Sequence, residues 1–388
     1  MNKKIAVVFN EDIYCQRGLF NAVRNRVRHL KDVADFEIDV YVIGYFEPLY
    51  IRILRKTPPK KVVSSIELDG ITYHALWYQH TIIDYLLETK LHLPPVFSRL
   101  FFRRLAKKIR GYNLISAHST ECGLLASRIS KREGIPFCVT WHGTDIHTAP
   151  FKSKSVYKST EHLLKQASCN FFVSDNLRKI ALEIAPDMKC ELLYNGRNEL
   201  FRKYSVEKRT ELRRRYGVLG SKVIAFAGHL IEVKNPQLLA PIFASVQSLY
   251  NDPLSFWIIG SGKMQNEVRE NCDKLGLNVC FWGSQPADRM PEFMNCIDVL
   301  VLPSRNEGLP LVAVEAISCG ANVVGSNVGG IREVIGDDNV FSHGSSFIED
   351  VSKRIVRMLT TTIEQPLHDV FNWKTTSLKE LDIYNQLL

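Results

Sequence analysis

Short runs of β-branched and aromatic residues alternate with helical patterns along the whole chain, and this alternation is the strongest constraint on the fold. The runs cover residues 5–9, 37–43, 112–117, 136–140, 222–227, 254–259, 297–302 and 321–325. Strands that alternate with helices pair in parallel, so the pattern predicts doubly wound α/β sheets. Ligands bind beyond the carboxyl ends of such strands, so the loops that directly follow the strands are expected to carry the chemistry.

The alternation occurs twice, and the two halves of the chain differ in charge. A polar stretch from Asn195 to Tyr216 separates two sets of strands, which suits two domains of ordinary size in 388 residues. Residues 1–195 hold 29 Lys and Arg against 19 Asp and Glu, whereas residues 196–388 hold 21 against 22. The excess positive charge of the first half indicates an anionic partner, which nucleic acid, anionic lipid and phosphorylated substrates would all satisfy.

Composition argues against a membrane-spanning protein and against a structural zinc site. Apolar residues make up 45% of the chain, and no window approaches the roughly 18 to 20 apolar residues of a spanning helix. The nine cysteines are scattered without C-x-x-C pairs, and several lie inside apolar runs. This usage predicts a reducing cytoplasm.

The segment from Pro303 to Gly320, PSRNEGLPLVAVEAISCG, directly follows a predicted strand. Pro310 suits the start of a helix and Gly320 its end, so the segment predicts a helix over residues 311–319. This helix is apolar on nearly every side and is predicted to be buried. Glu315 within it then needs an ionic or hydrogen-bonded partner.

The N-terminus of this helix is predicted to bind an anion. Free N–H groups there suit a phosphate, and Glu307 stands beside them; the groups belong to Gly308, Leu309 and Leu311. The alternative interpretation makes Glu315 a structural ion pair and Glu307 a surface turn residue.

The pair of glutamates in a P-S-x-x-E-G-x-P-x-x-x-x-E-A context resembles the signature of retaining glycosyltransferases of family 4. The resemblance implies the GT-B fold, in which two Rossmann-like doubly wound parallel-sheet domains face each other across a cleft. Residues 1–195 would bind the acceptor, with a terminal helix at about 371–388 packing back on them. Residues 196–370 would bind the nucleotide sugar.

The same resemblance implies a role for each residue of the segment. Glu315 would bind the ribose hydroxyls and Glu307 the transferred sugar. The backbone between them would hold the diphosphate, through Gly308, Leu309, Pro310 and Leu311.

Three further segments resemble donor-binding parts of the family. In FAGHLIEVKNP, residues 226–236, Gly228, His229 and Lys234 correspond to the diphosphate clamp, although His229 replaces the usual arginine and Lys234 alone also fits a solvated lysine. Two other glycines would lie beside the nucleoside and its base, Gly262 and Gly283. The double-glycine turn in residues 325–333 would shape the site from behind.

In the first half, WHGTD at residues 141–145 resembles the H-G-x-D segment of the family. His142 would bind the donor sugar and face the acceptor, and Asp145 would begin a short helix or orient that histidine. The alternative is a histidine satisfied within its loop. His118 follows a predicted strand in the same way and is assigned to the acceptor side.

The loop after the first strand resembles a glycine-rich loop of the family, but only Gly18 is retained. Its missing side chain would permit close approach of the diphosphate or the acceptor. Arg17 beside it is assigned to the acceptor side as an anion contact, although most loop arginines are simply solvated.

Residues 97–110 combine an apolar face with a basic one. Phe97, Leu100, Phe101 and Leu105 lie on one face, and Arg99, Arg103, Lys107 and Arg110 on the other. A second basic patch is interleaved with the apolar residues Ile51, Ile53 and Leu54, and comprises Arg52, Arg55, Lys56, Lys60 and Lys61. We predict attachment to an anionic membrane face; the alternative packs the apolar face on the sheet and leaves the basic face solvated.

The resemblance implies a retaining hexosyltransferase that acts in bacterial polysaccharide, capsule or lipopolysaccharide synthesis. Together with the basic first half, it predicts a location on the inner face of the cytoplasmic membrane. The enzyme would need neither metal nor cofactor and would not bind nucleic acid. The donor is a UDP-sugar on family grounds, and the acceptor is a glycan or lipid-pyrophosphate. Glu307, His142 and Lys234 form the catalytic set, with no covalent nucleophile.

Three rival functions differ in their expected ligands. An NAD-dependent enzyme lacks its complete glycine fingerprint here. A nucleic-acid binder lacks a recognition motif and leaves Glu315 unexplained. A catalytically silent scaffold of the same fold would bind a sugar nucleotide without turnover.

Overall fold

The computed structural model describes residues 3–11, 13–14, 18–55, 59, 61–79, 81–90, 97–361 and 363–388. The chain forms two compact units. Unit 1 comprises Met1–Asn195 with Trp373–Leu388, and unit 2 comprises Gly196–Asn372. None of the helices in these described ranges is both long enough and apolar enough to span a bilayer.

Unit 1 is built on an eight-stranded sheet with the order β3-β4-β2-β1-β5-β6-β7-β8. All neighbouring strands are parallel except the β3–β4 pair. The strands are β1 (Lys4–Asn10), β2 (Glu37–Phe46), β3 (Ser65–Leu68), β4 (Ile71–Gln79), β5 (Leu114–His118), β6 (Phe137–Trp141), β7 (Cys169–Phe172) and β8 (Cys190–Leu192). The helices between them are α1 (Leu19–Val33), α2 (Leu49–Arg55), α3 (Ile82–Lys90), α4 (Phe97–Lys108), α5 (Thr120–Glu133), α6 (Thr144–His147), α7 (Lys154–Gln166) and α8 (Asp175–Ile184).

Unit 2 is built on a six-stranded parallel sheet with the order β11-β10-β9-β12-β13-β14. Its strands are β9 (Lys222–Ala227), β10 (Leu254–Ile259), β11 (Val279–Gly283), β12 (Val299–Leu302), β13 (Asn322–Ser326) and β14 (Val340–Phe341). Its helices are α9 (Val206–Arg215), α10 (Leu239–Leu249), α11 (Gln265–Lys274), α12 (Met290–Cys296), α13 (Leu311–Ser318), α14 (Ile331–Ile335) and α15 (Phe347–Thr360). The last helix of the chain, α16 (Trp373–Leu387), belongs to unit 1.

The doubly wound α/β fold predicted from the sequence is confirmed. Each of the eight predicted runs overlaps a strand, and the helix predicted over residues 311–319 is observed as α13. Six strands were not predicted: β3, β4, β7, β8, β11 and β14. Most of them are short, and β4 mixes polar with aromatic residues, so none gives a clear apolar run.

A buried ion pair attaches α16 to α1. Arg26 donates to the carboxylate of Glu380 at 2.7 Å, and each side chain is only 2% exposed. The hydroxyl of Tyr384 also donates to Glu380, at 2.5 Å, and lies 2.8 Å from the hydroxyl of Ser116 on β5. Two guanidinium nitrogens of Arg26 remain buried without a hydrogen-bond partner among the described residues. The terminal helix is therefore joined to the sheet by a charged network inside unit 1.

Helix α4 packs its apolar face on the sheet. Phe101 and Leu105 are buried, and the ring of Phe101 lies 5.7 Å from that of Tyr78 at the end of β4. Arg103 and Lys107 are exposed. The prediction that this apolar face meets a membrane is therefore wrong for Phe101 and Leu105. Other parts of that prediction fall outside the described side chains: Phe97, Arg99 and Leu100, and Arg55, Lys56 and Lys60 of the second patch.

Candidate active site

In unit 2, two predicted catalytic residues form an ion pair. The strands β9 and β12 are adjacent and parallel, so the loops that follow them begin at the same edge of the sheet. The ammonium group of Lys234, after β9, lies 2.5 Å from a carboxylate oxygen of Glu307, after β12. The two side chains are 26% and 14% exposed. The ammonium group of Lys234 therefore lies at the strand ends, where it is partly accessible from solvent.

The loop that carries Glu307 is fixed by hydrogen bonds to the neighbouring loops. The N–H of Arg305 donates to the carbonyl of Val233 at 2.8 Å, and the N–H of Gly330 donates to the carbonyl of Gly308 at 3.0 Å. The buried hydroxyl of Ser326 donates to two carbonyls at the base of the loop, those of Leu302 and Ser304. The loop therefore has little freedom to move Glu307.

Glycines let the loops of unit 2 pack closely around this pair. A Cβ at Gly260 would lie 1.9 Å from the carbonyl oxygen of Gly228, and one at Gly262 would lie 2.2 Å from that of Leu230. A Cβ at Gly329 would lie 1.7 Å from the carbonyl oxygen of Glu307. The predicted glycines 228 and 262 therefore serve contacts between loops, which exclude any side chain at positions 260, 262 and 329.

We expect Gly329→Ala to displace Glu307 and to lower turnover at least about tenfold, because small misplacements of catalytic groups are costly. The residue has φ +53°, which adds backbone strain of about 1–3 kcal/mol. Gly336→Ala is the matched control, since Gly336 has φ +78° but no atom within 4 Å of an added Cβ. Initial rates and urea unfolding of both variants test this. Equal turnover in the two variants would show that the contact with Glu307 is unimportant.

Glu315 lies on α13 and differs from the prediction in one respect. The sequence predicts that it is buried with an ionic or hydrogen-bonded partner. Instead it is half-buried, and no partner for its carboxyl group occurs among the residues that the structure describes. Desolvation raises the pKa of this carboxyl to about 8. An unpaired, partly accessible acceptor is suited to the hydroxyl groups of a ligand.

The N-terminus of α13 carries backbone N–H groups that no described residue accepts. They belong to Gly308, Leu309, Leu311 and Val312. Pro310 has no N–H and precedes the first helical residue, so it interrupts no hydrogen bond. These groups sit on the loop that also bears Glu307, which agrees with an anion site.

The remaining predicted donor residues of unit 2 lie on neighbouring loops. His229 is exposed, directly after Gly228. Gly283 ends β11 with φ +65°, and its carbonyl accepts the N–H of Gly260 at 2.8 Å. This hydrogen bond joins the end of β11 to the loop that follows β10.

In unit 1, His118 and His142 form a pair at the ends of β5 and β6. Nδ1 of His118 lies 3.0 Å from Nε2 of His142, and the ring centroids are 5.3 Å apart. Burial, with a smaller contribution from the charge of Arg26, lowers the pKa of His142 to about 3. Burial and the neighbouring His142 place the pKa of His118 well below its ordinary value. Both rings are therefore neutral near pH 7, and one donates a hydrogen bond to the other.

Asp145 organises the loop rather than the ring of His142. Its carboxylate accepts the backbone N–H groups of Gly143 at 2.8 Å and of His142 at 3.2 Å. Neither predicted role is met as stated, because Asp145 is the second residue of α6 and its carboxylate holds the backbone, not the ring, of His142.

A polar cluster beside the histidines was not predicted from the sequence. The hydroxyl of Ser119 donates to the side-chain oxygen of Asn10 at 2.7 Å, and the amide of Asn10 donates to Glu121 at 2.6 Å. Ser119 has φ +84°, which is unusual for a residue with a side chain. Its position directly after β5 was the only signal in the sequence.

The loop after β1 contains two predicted site residues, and the structure describes only one of them. Gly18 precedes α1 with φ +50°, and its carbonyl accepts the N–H of Ala22 at 3.1 Å. Arg17 lies outside the described residues.

Two family models match consecutive parts of the chain. The model for Glycosyltransferase Family 4 matches residues 17–199, and the model for glycosyl transferases group 1 matches residues 208–370. The chain belongs to glycosyltransferase family 4. The first match lies almost wholly in unit 1 and the second in unit 2, so the histidine pair and the Lys234–Glu307 pair each fall within a matched region.

Individual proteins also resemble this chain, in sequence or in fold. An uncharacterised glycosyltransferase of Methanocaldococcus jannaschii is 30% identical over 236 residues, 58% of this chain and 60% of that protein. The UDP-Gal:α-D-GlcNAc-diphosphoundecaprenol α-1,3-galactosyltransferase of Escherichia coli is 29% identical over 243 residues, again 58% and 60%. The chain thus spans about three-fifths of the length of these curated relatives. The solved structure of Anabaena HepE in complex with UDP has a TM-score of 0.71 at 18% identity, covering 98% of this chain and 96% of that one.

Proposed function

We propose that this protein transfers a hexose from a UDP-sugar to a glycan or lipid-linked acceptor, with retention of anomeric configuration, in bacterial surface polysaccharide synthesis. The observation that carries the proposal is the Lys234–Glu307 pair. The loop of Glu307 also presents N–H groups that no described residue accepts, and it leads to Glu315, whose carboxyl group has no partner among the described residues. A nucleotide sugar matches these three features, since it has a diphosphate, a sugar and a ribose.

The proposed mechanism concentrates on the leaving group. Breaking the anomeric bond leaves negative charge on the diphosphate, and stabilising such charge is often the greatest single contribution to catalysis. Lys234 and the N–H groups at the start of α13 would stabilise that charge, and the imidazole of His229 would add a further N–H donor. The hydrogen-bonded loop would hold Glu307 in position to bind hydroxyl groups of the sugar.

The acceptor hydroxyl would attack on the face that the diphosphate leaves. In this scheme the departing diphosphate takes the proton, so no protein side chain serves as a general base. The neutral His142 would orient hydroxyl groups without adding charge, because its partner His118 fixes its ring. Asn10, Ser119 and Glu121 offer further acceptors and donors on the acceptor side.

Two relatives support the choice of substrates. HepE was solved with UDP bound. The name of the E. coli enzyme specifies a UDP-galactose donor and a diphosphoundecaprenol-linked acceptor. A UDP-sugar and a lipid-pyrophosphate acceptor are therefore the first pair to test.

The test is transfer from radiolabelled UDP-sugars to lipid-linked acceptors, in buffer with EDTA, followed by NMR of the product. We expect a product with the anomeric configuration of the donor and undiminished rates in EDTA. An inverted product would contradict retention, and activity restored only by a divalent cation would contradict the metal-independent scheme. Nucleotide binding without transfer or donor hydrolysis would favour the catalytically silent scaffold.

We expect the affinity for UDP-glucose to rise roughly tenfold between pH 6.5 and pH 8.5, because the free carboxyl of Glu315 has a pKa of about 8. Only its deprotonated form accepts hydrogen bonds from both ribose hydroxyls. The affinity therefore falls as the pH falls through about 8. Glu315→Gln removes this titration and serves as the control. Calorimetric titrations at several pH values measure it, and a wild-type profile as flat as that of Glu315→Gln would contradict the assignment.

A further inference from the structure

Exposed apolar side chains are concentrated in one part of unit 1. Half of the large apolar residues exposed in the described chain lie between residues 45 and 86. Six of these are on two short helices and are 43% to 67% exposed: Leu49, Tyr50 and Ile53 on α2, and Ile82, Ile83 and Leu86 on α3. We call these six residues the α2–α3 apolar surface. Scattered exposed apolar residues are ordinary, but a concentration of this kind marks an interaction site.

The sheet places both helices at the same edge. Strands β2 and β4 are neighbours, and their last residues, Phe46 and Gln79, are paired in register. Helix α2 begins three residues after β2, and α3 begins three residues after β4. The rings of Tyr45 and Tyr78, next to the strand ends, are 6.0 Å apart.

Each helix already has a different side buried. Ile51 of α2 is 3% exposed, and Asp84 of α3 is fully buried, where it accepts hydrogen bonds from the N–H and hydroxyl of Thr81. The outward positions of a solvated helix are normally polar. Here five aliphatic residues and Tyr50 occupy them, so the α2–α3 apolar surface is suited to contact with an apolar partner.

Basic charge in the sequence and on α4 indicates the partner. In the sequence, residues 45–110 hold 12 Lys and Arg against 5 Asp and Glu, and so account for +7 of the net charge of +9. Exposed basic residues of α4 belong to this set: Arg103, Arg104, Lys107 and Lys108. Helix α4 packs on β4 through Phe101 and Tyr78, which places it beside the same strand end. Aliphatic residues flanked by cations suit the boundary between anionic headgroups and acyl chains.

We propose that the α2–α3 apolar surface inserts into the interface of an anionic lipid bilayer, while the basic face of α4 binds the lipid headgroups. Of the six inserting residues, Ile53 belongs to a stretch that the sequence already assigned to the membrane. The apolar face predicted on α4 takes no part, because Phe101 and Leu105 are buried. The inference rests on the proposed function in one respect: the protein would encounter a lipid-linked acceptor at this surface.

Vesicle flotation of the full chain tests the proposal without nucleotide or acceptor. We expect the wild type to bind vesicles that contain phosphatidylglycerol and to bind pure phosphatidylcholine vesicles weakly. Ile53→Asp/Ile83→Asp should lower binding at least about tenfold, because it places charges in the apolar layer. Leu219→Asp/Leu275→Asp is the matched control, since both leucines are about half exposed in unit 2. Arg103→Glu/Lys107→Glu should weaken binding and reduce its dependence on salt.

The outcomes separate this surface from the donor site. The proposal would be overturned if the wild-type protein did not bind anionic vesicles. It would also be overturned if the two double-aspartate variants bound them equally well. A dimer that Ile53→Asp/Ile83→Asp disrupts, without any vesicle binding, would assign the surface to a second copy of the chain and also overturn it. UDP binding measured by calorimetry on the same variants should be unchanged. Loss of UDP binding in every form of the protein would instead count against the proposed function.

Discussion

Replacing Lys234 with alanine should lower kcat about 10²- to 10³-fold, because it removes a cation that stabilises the further negative charge developing on the leaving diphosphate. The fold should be little affected. The ion pair with Glu307 is partly exposed, and such pairs contribute about 0–1 kcal/mol. Lys234→Arg should retain part of the activity, since it keeps the charge but changes its geometry.

Lys222→Ala is the matched control for this prediction. Lys222 lies at the start of β9, the strand that leads to the Lys234 loop, and its ammonium group is 3.9 Å from the carboxylate of Asp298. Steady-state rates with the radiolabelled donor and urea unfolding should be measured for both variants. If kcat of Lys234→Ala stays within about threefold of that of Lys222→Ala, the lysine does not stabilise the leaving group.

Replacing Glu380 with alanine should destabilise unit 1 by about 3–5 kcal/mol, because it leaves the charge of Arg26 buried without its partner. The effect should be large because two guanidinium nitrogens of Arg26 already lack partners among the described residues, and because Tyr384 also donates to Glu380. Removing both charges in Arg26→Met/Glu380→Leu should recover much of the loss, since no unpaired ion remains.

The neighbouring Lys379 provides the control for the buried pair. It lies on the same helix, but its ion pair with Glu191 is 46% and 43% exposed, so Lys379→Ala should cost less than about 1 kcal/mol. Urea denaturation, followed by tryptophan fluorescence, measures all of these variants. If Glu380→Ala unfolds at the same urea concentration as Lys379→Ala, the network does not anchor the terminal helix.

Local patterns in the sequence predicted much of unit 2, because its site follows from apolar runs and the loops after them. The strand before Pro303 and the helix α13 are both observed, and Glu307 lies in the predicted strand-end loop. Lys234 was singled out by the family resemblance, and it also lies in a loop after a strand. Their ion pair was not predicted. The two residues are 73 positions apart, and only the adjacency of β9 and β12 brings them together.

Other features depend on tertiary packing and were missed or misjudged. Composition indicates a buried Glu315 with a partner, but the residue is half-buried because neighbouring elements do not cover all of its side of α13. The amphipathic pattern of α4 fits a sheet or a membrane equally well, and the sheet takes its described apolar residues. The cluster of Asn10, Ser119 and Glu121 joins β1 to the loop and helix after β5, which no local pattern reveals.

The most direct test of the donor site is a thermal-shift screen of UDP, GDP, ADP and their common sugar conjugates, without metal, on the wild type and Glu315→Ala. A ligand that binds only the folded state at 100 times its Kd adds about 2.7 kcal/mol of stability. We predict a shift with uridine nucleotides that Glu315→Ala abolishes. No shift with any nucleotide, or an equal shift in the variant, would contradict a donor site at Glu315.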